Sequence, residues 1–274
     1  MRLVKEAGPW TTRVMPQRRK SPAPAQPSEL VWERSEPAQR PAPGPLSRER
    51  IVRAAIAIAD KEGLAEVSLR KVAAKLNAGP MRLYTYTSTK EGLLELMVDA
   101  VYGEIAVKDL ASGDWRGTLR SIAEHTRQAA KKHPWFVDLL GRRPHLGPHA
   151  LEHYEQSLAA LCNQSAFEHI DDALQAYRTV TAYVVGAIKT ETASLRAEHE
   201  SGLNEGDFQA ASWPYLQRMI ETGRFPMIAK VVSDATHPSS DVTFERGLES
   251  VIEGIALGLA GPRGPNRRKP RAHD

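Results

Sequence analysis

The chain has 274 residues, with 37 Lys and Arg against 33 Asp and Glu and a single cysteine, Cys162. That length allows two domains, and the lone thiol excludes an intramolecular disulfide framework and suits a reducing cytoplasm. No run approaches the roughly 20 apolar residues that a membrane-spanning helix needs.

Residues 1–45 predict a disordered arm, since nine of the first 46 residues are Pro and no periodic apolar pattern survives there. The arm lacks the apolar segment and small-residue cleavage site of a secretory signal. A first helix is expected after Leu46. Ser47 stands where an N-cap belongs, Leu46 and Ile51 occupy the two positions of a hydrophobic staple, and Ile51, Ala54, Ala55 and Ile58 form one apolar stripe. Gly63-Leu64 breaks it.

Ser68 to Lys90, SLRKVAAKLNAGPMRLYTYTSTK, carries the densest information. Ser68 can cap a helix in which Leu69, Val72, Ala73 and Leu76 recur at helical spacing. Asn77 is suited to the left-handed conformation that ends such a helix, and Gly79-Pro80 opens a new, short one with Leu83 as its inward anchor. Ser88 to Glu91 has capping-box spacing, so another helix begins there. Two helices joined by a tight turn, the second too short to be justified by burial yet rich in Arg, Thr and Tyr, make a helix-turn-helix that places its second helix in a DNA major groove. An ordinary helical hairpin, or an adaptor whose motif binds protein, is the alternative.

Formal charge follows the same division. Residues 1–46, 47–92 and 261–274 each carry +4, and residues 93–260 carry −8. Basic charge at the motif and on both tails would supply salt-sensitive, sequence-independent DNA affinity through counterion release. The acidic remainder gives no support to wrapping of DNA over the whole surface.

Residues 46–108 resemble the DNA-binding domain of the tetracycline-repressor (TetR) family of transcriptional regulators. The carrying features are Gly63-Leu64, the two motif helices, Leu83-Tyr84 followed by Tyr86, and the Lys90-Glu91-Gly92-Leu93-Leu94 start of a fourth helix. Asn77 stands where members usually have Gly, and Thr85-Tyr86-Thr87 replaces their more frequent aromatic or basic residues. Val31 to Arg34 is similar to a stretch that precedes the domain in some members.

Beyond residue 108 everything reads as helix: Trp115 to Lys132, Pro134 to Leu140, Pro148 to Asn163, a long Glu168 to Glu200, a weak Pro214 to Glu221 between loops, and Val242 to Leu259. In the long helix Leu174, Tyr177, Thr181, Val184, Ile188 and Leu195 step by threes and fours, a seam against another helix. Phe244, Leu248, Val251, Ile255 and Leu259 line one side of the last, where Gly247, Gly254 and Gly258 permit a close neighbour. Cys162 beside Leu161 reads as a small buried hydrophobe. Asp114-Trp115-Arg116, His133-Pro134-Trp135 and Phe244 to Leu248 extend the resemblance to the family's ligand-binding and dimerisation domain.

The expected fold class is all-α: a three-helix helix-turn-helix DNA-binding domain (46–108) and a larger helical ligand-binding and dimerisation domain (109–260), between the arm (1–45) and a basic tail (261–274). The resemblance implies a cytoplasmic homodimer, joined through helices near 168–200 and 242–259, that represses at a double-stranded DNA operator and is released by a small-molecule effector. Arg82 is the expected base contact, since a guanidinium pairs bidentately with guanine, while Met81 and Thr85 suit thymine methyl groups. Tyr84, Tyr86, Lys90 and Ser68 or Arg70 suit phosphate, with Pro80 opening the reading helix. Candidates for a ligand pocket are Met97, Trp135, Leu139, Tyr154, Leu158, Tyr177 and Thr181.

In tetracycline-binding members a His of the fourth helix and a His of the sixth serve drug and magnesium. Here the matching positions are Ile105 and Leu139, and Gly141-Arg142-Arg143-Pro144 carries a bulky Arg142 where a small residue is usual, so tetracycline–magnesium is not expected. No cofactor and no enzymatic activity are expected: the sequence has no HExxH, no GxSxG and no Gly-rich phosphate loop. His145, His149 and His153 stand at four-residue steps, which leaves a helical metalloprotein as the alternative to solvated histidines.

Overall fold

The computed structural model describes residues 31–33, 46–105, 114–141 and 145–260. Among these it has eleven α-helices and no strand: α1 (Arg48–Glu62), α2 (Leu69–Lys75), α3 (Pro80–Tyr84), α4 (Lys90–Tyr102), α5 (Trp115–Lys132), α6 (Phe136–Leu139), α7 (Pro148–Cys162), α8 (Ile170–Ser201), α9 (Glu205–Glu221), α10 (Pro226–Asp234) and α11 (Ser240–Ala260).

Local chemistry sets most helix starts. Ser47 Oγ accepts from the Arg50 amide at 3.2 Å, Ser68 Oγ from the Lys71 amide at 3.2 Å, and Asp114 Oδ1 from the Gly117 amide at 2.8 Å. Each satisfies an N–H that the first turn of a helix leaves free, worth about 1 kcal/mol. Asn77 ends α2 with φ 51°, the left-handed conformation that its short polar side chain tolerates. The α4 cap falls one residue later than the spacing of Ser88 and Glu91 implies. Thr89 Oγ1 accepts from the Gly92 amide at 3.0 Å, and the buried Thr87 hydroxyl donates to the Thr89 carbonyl, so the bend is drawn inward around Thr87.

One continuous core runs through the molecule. Around α1 to α4 it gathers Ile51, Ala55, Ile58, Val67, Val72, Leu83, Leu93 and Met97. In the body it gathers Leu119, Phe136, Leu161, Val180, Val184, Ile188, Phe244, Leu248 and Ile252. Each fully buried large side chain contributes about 1.5–3 kcal/mol. α8 packs against α5, α7 and α11. Arg127 of α5 ties three of these together: its Nη2 lies 3.0 Å from Glu191 Oε2 and 2.8 Å from Asp241 Oδ1, and the guanidinium stacks 4.3 Å from the Phe244 ring centroid.

Several expectations need correction. The short helix predicted from Pro134 is confined to Phe136–Leu139. The weak helix predicted from Pro214 begins at Glu205, capped by Asn204 Oδ1, with Pro214 inside it, and the following stretch read as loop contains α10. Cys162 is exposed while Leu161 is buried. Val184 and Ile188 are buried in α8 as the seam requires, but its buried stripe runs on through Ala173, Ala176 and Val180, leaving Tyr177 and Thr181 half-buried beside it. The side chain of Leu195 lies outside the description. Among the described residues only Gly247 of the α11 glycines meets a neighbour, the Tyr183 ring, whose hydroxyl donates to the Phe244 carbonyl at 2.7 Å. Gly254 and Gly258 have no described residue against them. Within the segment read as a disordered arm, Val31 is buried in a three-residue turn beside Gly92, and Trp32 packs on the core.

Candidate DNA-reading helix and the junction behind it

α3 is a single short helix held by one buried side chain, Leu83. Pro80 sits in its first turn, where a missing N–H costs nothing. Met81 is 77% exposed and Tyr84 45% exposed, with Pro80, Arg82 and Thr85 also exposed. The Thr85 hydroxyl donates back to the Arg82 carbonyl at 2.6 Å, leaving its methyl group for outside contacts. Ser68 and Arg70 at the start of α2 and Lys90 at the start of α4 are exposed as well. Met81 and Arg82 thus stand side by side on the exposed face of α3, the arginine unpaired among the described residues.

Tyr86 must be removed from that set. It is 6% exposed and its hydroxyl donates to the Leu46 carbonyl at 2.6 Å, pinning the entry of α1 to the exit of α3. A phenol so committed cannot also reach a phosphate. Tyr86→Phe is expected to lower stability by about 1–2 kcal/mol by leaving that carbonyl unpaired. It should leave the salt dependence of DNA binding unchanged, and a salt titration of operator binding beside urea denaturation checks both.

Behind the motif lies a junction that sequence spacing did not reveal. His133, at the end of α5, is 3% exposed. Its Nδ1 is 2.8 Å from Asp60 Oδ1 of α1 and its Nε2 is 3.2 Å from Glu104 Oε2, just beyond α4. Asp60 also accepts from the Trp135 indole at 2.7 Å, and Glu104 from Lys132 Nζ at 2.6 Å. Burial opposes ionisation of Glu104, but the Lys132 and His133 hydrogen bonds outweigh it and hold this carboxyl below its ordinary range. Trp135, expected to line a pocket, therefore spends its polar edge on the tie to α1.

Of the other pocket candidates, Met97 and Leu139 are buried, whereas Tyr154, Leu158, Tyr177 and Thr181 are half-buried. The Tyr154 and Tyr177 rings meet edge to face at 5.1 Å. Burial pushes the Tyr177 phenol up to about 12 despite its hydrogen bond with Thr181. Ile105 and Leu139, at the positions that carry histidines in tetracycline-binding members, are buried and apolar. Arg142, Arg143 and Pro144 lie outside the described residues.

The three histidines do not assemble a metal centre. His149 Nδ1 pairs with the buried Asp99 carboxylate at 2.9 Å, while His145 and His153 both pack against Tyr102, their ring centroids 6.0 Å and 5.4 Å from its own. Among the described residues no three His, Cys, Asp or Glu side chains are grouped to hold a metal. His153 is also not a solvated histidine, being 2% exposed. Among the described residues no helix is long and apolar enough to cross a membrane.

Comparison with known proteins agrees with this geometry. Residues 109–258 match the model of the tetracycline-repressor-like C-terminal domain. The chain is 35% identical over 240 residues to the transcriptional repressor DrrR1 of Streptomyces coeruleorubidus, covering 86% of this chain and 87% of that one. It is 25% identical to the class A tetracycline repressor of transposon 1721 from Escherichia coli, over 77% of this chain and 91% of that repressor. Among solved structures, apo ActR of Streptomyces coelicolor superposes with a TM-score of 0.67 at 26% identity, covering 80% of this chain and 99% of ActR. ActR bound to actinorhodin gives 0.66, over 78% and 97%. These relatives are named as regulators, not as enzymes. The chain belongs to the tetracycline-repressor (TetR) family of ligand-responsive, DNA-binding transcriptional regulators.

Proposed function

We propose that the protein represses transcription as a homodimer that reads two operator half-sites with α3 and is released when a small molecule enters its helical body. The observation that carries this reading is the character of α3: one buried anchor, Leu83, under an exposed face of Met81, Arg82, Tyr84 and Thr85. Residues 46–108 act as the DNA-binding unit and 109–260 as the ligand-binding and dimerisation unit. Two copies of α3 must then stand about one turn of DNA apart, roughly 34–36 Å. Arg82 pairs with a guanine edge, Met81 and the Thr85 methyl touch thymine methyl groups, and Tyr84, Lys90, Ser68 and Arg70 hold phosphates.

The dimer is proposed through α8 and α11. Support comes from the outer stripe of α11, where Val251, Ile255 and Leu259 are only half-buried and Leu257 is 75% exposed beside Gly254 and Gly258, which have nothing against them among the described residues. A second helix can approach closely there. A small-molecule effector is supported by the ActR structures with actinorhodin and with (S)-DNPA. Met97, Leu139, Tyr154, Leu158, Tyr177 and Thr181 are the residues proposed to meet it. An effector can shift the dimer only by its preference for the non-binding state.

The test is binding to the DNA upstream of the protein's own gene, against a scrambled duplex, at several salt concentrations. Arg82→Ala is expected to relax discrimination by about 1–3 kcal/mol at one base position per half-site. Lys90→Ala should weaken all sequences alike and reduce the salt slope by about 1. Equal effects of the two substitutions on every sequence would overturn these roles, and absence of binding to any duplex would overturn the function itself.

A further inference from the structure

We infer that Val31 and Trp32 moor the basic N-terminal segment, residues 1–30, to the first turn of α4, and that the moored segment holds phosphates of the duplex beside the site read by α3. This inference rests on the DNA-binding reading above and adds to it a second, sequence-independent region of contact.

The first support is the mooring itself. Val31, in a turn of three described residues, is 7% exposed, and the Trp32 side chain packs on the core. A Cβ built on Gly92 would stand 3.5 Å from Val31 Cγ2, so the valine lies over the bare backbone of the first turn of α4. Burial of these two side chains offsets the entropy of ordering the turn. It gives a fixed point to a stretch that has no periodic apolar pattern of its own.

The second support is where charge lies relative to that point. Residues 1–30 hold six Lys and Arg against two Glu, a formal +4, whereas residues 31–46 hold two of each sign and are neutral. No acidic residue stands between Ala7 and Ser28, and Arg13, Arg18, Arg19 and Lys20 all fall within that stretch. The whole charge excess therefore lies on the far side of the mooring from the helices. Such a cluster gains affinity for a duplex by releasing the counterions of the phosphates it neutralises. It carries no means of reading bases through that charge alone.

The third support is reach. Gly92 stands two residues beyond Lys90, which is exposed and proposed above to hold a phosphate. Lys20 lies 11 positions before Val31, a length of chain that spans at most roughly 36–40 Å. One turn of duplex is about 34 Å, so the cluster meets backbone adjoining the half-site and no further. Without the mooring the cluster would hang from Leu46, 26 positions from Lys20. Its effective concentration at the same phosphates would then fall about fourfold, following the −3/2 power of length.

The experiment uses the full chain and two labelled duplexes, the DNA upstream of the protein's own gene and a scrambled one, followed by fluorescence anisotropy across a range of salt. The joint variant Arg13→Gln, Arg18→Gln, Arg19→Gln and Lys20→Gln is expected to lower the slope of log K against log salt by roughly 2–4 per protomer on both duplexes. Trp32→Ala should weaken binding about fourfold in the unaltered chain and less than about 1.5-fold in the Gln background. Trp32→Phe, which keeps a ring to bury, should bind within about twofold of the unaltered chain. The ratio of the two affinities should hold within about twofold throughout, since phosphate contacts weaken all sequences alike. An unchanged slope in the Gln variant overturns the phosphate contact, as does a loss confined to the upstream duplex. A rise in DNA affinity overturns it too, and would place the segment on the acidic helical body instead. An equal cost of Trp32→Ala in both backgrounds, or none in either, overturns the mooring and leaves Trp32 a structural residue. Failure of the unaltered chain to bind any duplex is the separate failure of the DNA-binding reading.

Discussion

Gly147→Ala is expected to destabilise the protein by about 3 kcal/mol or more. Gly147 caps α7, and a Cβ built there would overlap the Asp99 carboxylate and sit 2.8 Å from the Asp99 Cβ. Asp99 cannot simply swing aside. It is 5% exposed, and its two oxygens are engaged by the His149 ring and the Ala150 amide. Moving it would leave a buried charge without partners and the start of α7 without a cap. Asp99→Ala removes the charge and the carboxylate that a Cβ at Gly147 would overlap, though not the Asp99 Cβ, and should itself cost less, about 1–3 kcal/mol for the unpaired amide. A double-mutant cycle by urea denaturation checks the mechanism. In the Asp99→Ala background the Gly147 substitution should lose at least about 1 kcal/mol of its cost. Strict additivity would show that the two residues do not meet.

Asp60→Ala comes next, with an expected loss of about 2–4 kcal/mol, because it strands two buried donors at once, the His133 ring and the Trp135 indole. The consequence is also functional. Asp60 lies in α1, against the motif, whereas His133 and Trp135 belong to the body, so their bonds hold the angle between reading helix and ligand-binding helices. Asp60→Asn retains an acceptor and should recover roughly half of the loss. Glu104 adds a pH dependence to the same junction. Its carboxyl is held below the ordinary 4.5, so its contribution is present above about pH 4.5 and is lost as pH falls through the native value. Urea denaturation of wild type and Glu104→Gln from pH 7 down to about pH 3 checks this: the two stabilities should stay apart above about pH 4.5 and converge below it. Curves that stay parallel would show that Glu104 does not feel His133 and Lys132.

Which parts of this were legible in the sequence follows from the range of the interactions. The caps at Ser47 and Ser68 and the turn at Asn77 are decided by contacts within a few residues, and the spacing that reveals them is the spacing that makes the hydrogen bond. Tyr86 looked like a phosphate contact because it stands beside Tyr84 on the same short segment. Its true partner, the Leu46 carbonyl, is 40 residues away, and no local pattern encodes it. The expected helix starts only at Pro214 because the Gly-, Ser- and Asp-rich stretch before it reads as loop, yet Asn204 caps α9 ahead of that stretch's end and the proline is accommodated within the helix. α10 starts with a proline but has no capping side chain, so little marked it. His145, His149 and His153 show the same limit from the other side. Their regular spacing suggested a shared metal, whereas packing sends His149 to Asp99 and the other two to Tyr102.

The sequence alone therefore determined the helical class, the helix-turn-helix and its short second helix, the family, and most helix bounds. These depend on periodicity, capping and turn residues, all set by near neighbours along the chain. Only the tertiary structure decided which side chains of the motif face outward, how α1 is tied to the body through His133, and how His145 and His153 pack against Tyr102. Each of these pairs residues tens of positions apart, and burial, not sequence spacing, sets how much such a contact contributes.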